Sequence, residues 1–269
     1  MVNREVRWLG GLCALALSLF LGAPAQAADL DGTGIVLNSQ SLNQGADQRS
    51  TVTLELHEAD GRVRKIVTKR LWRNYEGKDG FATKTVFYTL SVEGQGTGFL
   101  IWDTSDAGKK DQLFMYLPSL RTVRKVSVRD QDDAFLGSDL TFADMGQRLL
   151  EEDVHTLVGE ETLDGVAYHL VESVPRDDSM YGKRKLWINK SDFTTHQIHY
   201  FDRKQELLKT QDITWIKRDD GLRVFRELDV KNVQTGHRTI YTISNEEFNV
   251  GLKDKDFTER MLKRGYRGK

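Results

Sequence analysis

Six histidines, His57, His155, His169, His196, His199 and His237, are the first candidates for chemistry, and only His196 and His199 stand close in sequence. Residues three apart on a strand leave from opposite faces, so this pair is not expected to chelate one metal. No histidine has the H-E-x-x-H spacing that sets two rings on one helix face beside a general base. Ser138 lies in Gly137-Ser138-Asp139, not in the G-x-S-x-G turn that exposes a nucleophilic serine. The one cysteine, Cys13, falls inside an apolar leader, so the processed chain has no thiol for zinc, a disulfide or covalent catalysis. No paired-carboxylate motif stands out. The reading is therefore a protein that is not an enzyme, with no catalytic residue, metal or cofactor assigned.

The elements around these residues are more informative. Arg4 and Arg7 precede an apolar run from Leu9 to Leu21, and Ala25-Gln26-Ala27 follows it, which is the pattern of a signal peptide, residues 1–27, that is cleaved on export. The run is shorter than the roughly 20 residues needed to span a bilayer. The export signal points to the periplasm of a Gram-negative bacterium or to the outside of a cell, with the periplasm the expected location, where the processed chain must be stable without disulfides. Residues 28–269 are of a length that an all-β barrel or sandwich fills as a single domain. The 39 basic and 40 acidic residues balance to −1, so no basic excess attracts phosphate backbones, and nucleic acid is excluded as a partner.

The body of the chain alternates. Val52, Leu54 and Leu56 are separated by polar residues, which is the period of a strand with one buried face, and Ala59-Asp60-Gly61 closes a hairpin before Val63 to Arg73. The pattern repeats around 83–93, 97–103, 111–117, 121–129, 154–161, 166–173, 183–189, 194–201, 206–217, 222–232 and 237–246. About a dozen short strands predict a mainly β fold, a long antiparallel meander. An open sheet of more than about ten strands curls or closes, so one face lines a concavity that helices, a ligand or both must cover.

Helical signals are few. Thr141-Phe142-Ala143-Asp144 has the form of a capping box, opening a helix to about Glu152 with Leu140, Met145 and Leu149 on one face. "DKDFTERMLKRGY" near the end of the chain predicts a second helix, with Phe257, Met261 and Leu262 on one side and a charge order suited to its dipole. "GTGIVLNSQSLNQ" lacks a convincing amphipathic helix, being rich in Gly, Ser and Asn.

Two stretches carry a resemblance. "LFMYLPSLRTVRKV" followed by "FLGSDLTFADM", with "FTERMLKR" near the end of the chain, resembles the LolA-like outer-membrane lipoprotein-sorting proteins, and the match runs in order through most of the chain. The resemblance implies a strongly curved antiparallel sheet forming an unclosed β-barrel, its mouth covered by short helices. It implies a periplasmic carrier that holds lipoprotein acyl chains or free lipid in the concave cavity, for lipoprotein sorting or lipid transfer. Some members of that family accompany inner-membrane exporters of the resistance-nodulation-division (RND) superfamily, which makes such a transporter, or an outer-membrane acceptor, an expected partner. Membrane contact would be transient and the carrier a monomer.

On that fold the expected ligand-binding residues are Leu54, Leu56, Leu113, Met115, Leu117, Phe135, Leu140, Phe142 and Met145, from the cavity wall and the lid. Leu113, Met115 and Leu117 face one side of their strand and Phe114 and Tyr116 the other, as for a strand between a cavity and a packed helix. Pro118 then turns the chain and places Arg121, Arg124 and Lys125 near the rim, either as cations that steer an anionic cargo or as an ordinary solvated face. "GSDLTFAD" reads either as a hinged flap that swings from the cavity or as a fixed plug that completes the core. The alternative to a carrier is an interaction module of an envelope transporter or assembly, with an apolar interior that is only core.

Overall fold

A computed structural model describes residues 30–92 and 94–266, so the expected signal peptide and its cleavage site lie outside the described residues. Thirteen strands form one antiparallel sheet. The first six are β1 (Asp47–His57), β2 (Val63–Asn74), β3 (Phe81–Thr89), β4 (Gly98–Thr104), β5 (Gln112–Leu117) and β6 (Thr122–Val126). The other seven are β7 (Asp153–Leu163), β8 (Val166–Pro175), β9 (Tyr181–Asn189), β10 (Thr195–Asp202), β11 (Leu207–Lys217), β12 (Arg223–Asn232) and β13 (Arg238–Phe248). Their order is β6-β5-β4-β3-β2-β1-β13-β12-β11-β10-β9-β8-β7. Each meander is a run of hairpins, and the two arms join where β1 pairs with β13, Leu54 opposite Tyr241. β6 and β7 end the sheet without pairing to each other, so the barrel is unclosed, as expected.

Alternation decides what each face buries. On the inner face Val52, Leu54 and Leu56 meet Ile66, Phe87, Phe99, Ile101, Leu113 and Tyr241 in one cluster. On the outer face of the same arm Val86, Tyr88, Leu100 and Phe114 are covered by Phe257 and Leu262. The chain end supplies these two from a short turn at Asp254–Phe257 and from helix α2 (Glu259–Arg264), whose cap Thr258 accepts from the Met261 N–H at 3.3 Å. Met261, expected on their face, stays only half-buried. β5 thus lies between an inner core and an outer helix, as its alternation required.

Two expectations about helices are corrected. Gly32–Gln40 is an α-helix, here α1, despite its poor propensity. Asp31 caps it through the Gly34 N–H at 2.7 Å, and Ile35 and Val36 bury themselves against Val171 and Ile188 on β8 and β9. Tertiary docking, not propensity, supports so short a helix. Its first residue must be small, since a Cβ on Gly32 would come within 2.6 Å of the Leu157 amide nitrogen on β7.

The segment from Thr141 to Glu152 is not one helix. The capping box forms, the Thr141 N–H donating to Asp144 Oδ2 at 2.8 Å and the Asp144 N–H to Thr141 Oγ1 at 3.1 Å. It closes only a single turn, Ala143–Met145, and a second turn follows at Leu150–Glu152. Gly146 between them is extended, with φ −90° and ψ 175°, and sits where a Cβ would come within 2.6 Å of Asp103 Oδ1. Leu140, Met145 and Leu149 therefore share no helix face.

Candidate functional site

The strand order places β6 and β7 at opposite edges, so residues 127–152, which join them, must pass from one edge to the other. This strap carries the "GSDLTFAD" motif across the concave side. Leu136 and Gly137 take left-handed conformations, φ 53° and 75°, and Ser138 Oγ donates to the Phe135 carbonyl oxygen at 2.7 Å, which turns the strap sharply. The turn drives Phe135 into the inner core, its ring centroid 5.2 Å from that of Phe87 and 5.0 Å from that of Phe99. Phe142 packs on the same group, 5.6 Å from Phe99.

Two carboxylates fasten the strap to the other arm. Asp139 Oδ2 lies 2.6 Å from His237 Nδ1 and accepts from Thr239 Oγ1 at 2.8 Å, while the Asp139 N–H donates to that same threonine oxygen at 2.9 Å. Asp144 Oδ2 accepts from Lys209 Nζ at 2.7 Å and from the Tyr181 hydroxyl at 2.8 Å, and Lys209 also donates to the Asp139 carbonyl at 2.7 Å. Lys209 is only 2% exposed. Burial opposes ionisation of Asp144, but the Lys209 ammonium and its other donors outweigh it and hold the carboxyl below the usual range. Burial and the Asp144 charge push the Tyr181 phenol well above its ordinary value, so it remains a donor.

Beside the strap the inner face leaves a cavity of about 1030 Å³. Its walls are mixed. Phe87, Leu140, Met145, Phe225 and Leu228 are apolar, whereas Arg70, Thr83, Thr85, Asp103 and Gln211 are polar. The chain from Ser39 to Ala46, leaving α1, forms another side. Asp103 is buried against Thr83, whose hydroxyl donates to its Oδ2, while Oδ1 has no hydrogen-bond partner. Burial, with the neighbouring Asp111, pushes the Asp103 carboxyl up to about 8, and burial raises Asp111 to about 6.

The expected ligand residues divide between core, cavity and edge. Leu140 and Met145 line the cavity. Leu54, Leu56, Leu113 and Phe135 lie in the sealed core, with Met115 and Phe142 packed against it, and Leu117 is half-buried at the end of β5. Arg121, Arg124 and Lys125, expected near the rim, are exposed at the start of β6 and along it and line no part of the cavity; Lys125 reaches back over the Phe114 ring. Reading the strands for hydrophobes alone missed Arg70, Trp72, Asp103 and Gln211. The polar residues interrupting inner-face alternation, such as Thr68 and Arg70 after Ile66, were the available signal.

The two neighbouring histidines also differ from expectation. The register of β10 shifts between Thr195 and Gln197, which changes the parity, and His196 and His199 turn to the same face. His196 stacks on Tyr168 at 5.1 Å and His199 packs on Trp187 at 4.5 Å, so both rings join one aromatic cluster.

An unclosed antiparallel sheet curled around a strapped cavity defines a LolA-like protein, a carrier-type fold. A family model described only as "Uncharacterized protein" matches residues 82–264, more than half of the chain, and the chain belongs to that family. No curated protein matches. Among solved structures, a domain named for outer-membrane lipoprotein sorting from Vibrio parahaemolyticus superposes with a TM-score of 0.81 at 25% identity, covering 87% of this chain and 98% of that one. A DUF1329 family protein from Desulfovibrio piger gives 0.80 at 25% identity, with 86% and 97% covered. A LolA superfamily protein from Nitrosomonas europaea shares the fold, with a TM-score of 0.69, 17% identity and coverage of 86% and 99%.

Proposed function

We propose that the chain is a periplasmic carrier that takes the apolar part of an amphiphile, lipoprotein acyl chains or free lipid, into the cavity beneath the strap. The observation that carries this reading is the cavity's size: about 1030 Å³ is at the upper end of the roughly 300–1,000 Å³ of ordinary ligand sites. A sheet that served only as a scaffold would be expected to fill that space with side chains. Similarity to the Vibrio parahaemolyticus domain, named for outer-membrane lipoprotein sorting, supports a role of that kind. Lipid transfer as the task, and an RND-type exporter or an outer-membrane acceptor as the partner, are part of the proposal. The exposed cations of β6, Arg124 and Lys125, are then steering charge for an anionic cargo or membrane face.

A second reading, an interaction module, is favoured by a different observation. Val154, Leu157 and Val158 are exposed along the free edge strand β7, where another chain could add a strand. Mass spectrometry of extracts from protein purified under native conditions separates the two. Co-purifying lipid, or saturable binding of a fluorescent fatty acid, is expected of the carrier; absence of both would leave the edge-strand module. A photocrosslinking residue at Phe142 in cells would name the cargo or partner.

A further inference from the structure

Two buried cations face the interior, and they differ in one respect. Lys209 has its carboxylate, Asp144. Arg70 on β2 is 9% exposed and lines the cavity, yet among the described residues it forms no ion pair, and its hydrogen bonding is a single contact from Nη1 to the Gln48 side-chain oxygen. A guanidinium carries five N–H donors in a fixed fork, and burying its charge without a counter-ion is unfavourable. Ser50, directly opposite on β1, and Thr68, two residues back on the same face, also bury hydroxyls without a partner.

The wall carboxylate that acts on Arg70 is Asp103, through space and without an ion pair. Burial pushes that carboxyl up to about 8, so it does not supply a full counter-charge. Asp103 aligns with Thr83 on β3, whereas Arg70 aligns with Phe87, four residues further along. At about 3.3 Å per residue that offset is roughly 13 Å along the strand. Apolar surface continues from Arg70 to Phe225 and Leu228.

We infer that Arg70 anchors the carboxylate of a single-chain amphiphile whose tail lies along the apolar wall toward the strap. The inference rests on the carrier reading and names its substrate class, a monoanionic lipid of the fatty-acid type. One guanidinium matches one carboxylate bidentately, and the bound anion supplies the counter-charge that the fold omits.

The test is a fluorescence titration of the full chain with a polyene fatty acid and with its methyl ester. Charge-assisted hydrogen bonds in a buried site are worth about tenfold to a hundredfold in affinity, so the acid is expected to bind at least about tenfold more tightly. Arg70→Met is expected to abolish that preference while keeping ester binding, and Arg70→Lys to restore part of it. Equal binding of acid and ester by the unaltered protein, which needs no variant to fold, would overturn the anchor and leave the carrier standing. Binding of neither would remove the carrier reading and the anchor with it. Displacement of the probe by inorganic phosphate, without any difference between acid and ester, would assign Arg70 to a free anion and overturn the inference.

Discussion

Lys209→Met tests whether the strap is fastened from beneath. The lysine is 2% exposed, and its ammonium touches both the Asp144 carboxylate and the Asp139 carbonyl, each at 2.7 Å. Methionine keeps much of the stem but leaves Asp144 ionised and buried. Removing one partner of such a pair costs about 3–5 kcal/mol. Asp144 retains the Tyr181 hydroxyl and the Thr141 N–H, so the lower end, about 3 kcal/mol, is expected. Urea unfolding followed by tryptophan fluorescence reads this as a lowered midpoint at constant slope. Adding Asp144→Asn removes the unpaired charge, so the double variant should cost less than the sum of the singles. The pH dependence has a definite sign. The folded Asp144 carboxyl is lowered, so its contribution is present above its unfolded value and is lost as pH falls through the folded one. In Lys209→Met the acid limb should move to higher pH. A loss below about 1 kcal/mol, or single costs that simply add, would refute a buried latch.

Three other outcomes follow from the same geometry. Asp103 is raised to about 8, so the folded state keeps a proton that the unfolded chain releases near 4, and its contribution to stability declines between those values by up to about 1.4 kcal/mol per pH unit. Asp103→Asn should therefore gain more on the parent at pH 8 than at pH 5 in urea titrations; an equal difference at both would show that the carboxyl titrates normally. Phe135→Ala removes a ring packed on Phe87, Phe99 and Phe142 and should cost about 3–5 kcal/mol, whereas a loss under 1 would mean the strap is not part of the core. Gly32→Ala should lift α1 from β7 and speed proteolysis after residue 30 with little change in the global midpoint, and unchanged cleavage would contradict the close approach.

Strand existence was legible where a strand buries a single face, as in β1, whose Val52, Leu54 and Leu56 announce their period without help. The helices were less so. α1 has no amphipathic pattern of its own because two residues, Ile35 and Val36, suffice to seat it on β8 and β9. At Thr141 the local signal was real, since both capping bonds form, yet Gly146 and the long-range tie to Lys209 overrule continuation. His196 and His199 show a similar limit, since one bulge reverses a face assignment that counting residues makes with apparent certainty. The cavity itself was expected to be apolar. Arg70 and Asp103 look like ordinary strand-surface residues until the sheet curls and turns their face inward.

The topology bears on whether the strap moves. A flap hinged at one end could swing while its free end follows, but residues 127–152 are tethered at both ends to strands on opposite edges. Lifting the middle would withdraw Phe135 from Phe87 and Phe99 and also break the Asp139–His237 and Asp144–Lys209 contacts. Those costs fall together, since all the groups lie within ten residues of one another along the strap. The side leading out of α1 is held differently. Ser39 to Ala46 borders the same cavity and is held by separate neutral hydrogen bonds. Ser39 pairs with Thr195 at 2.9 Å, and Gln40 donates to the Arg148 carbonyl at 3.2 Å. The Arg223 N–H donates to the Asn43 carbonyl at 2.7 Å, the Asn74 N–H to the Ala46 carbonyl at 2.9 Å, and the Ala46 N–H to Asn249 Oδ1 at 2.8 Å. Each of these is worth about 1 kcal/mol and can break singly, whereas the strap is held by a buried ion pair, Asp144 with Lys209, and a buried aromatic cluster. Ligand entry is therefore expected beside α1, with the strap as a fixed floor. Hydrogen exchange should show amides 39–46 opening well before amides 135–145, and the reverse order would assign the gate to the strap.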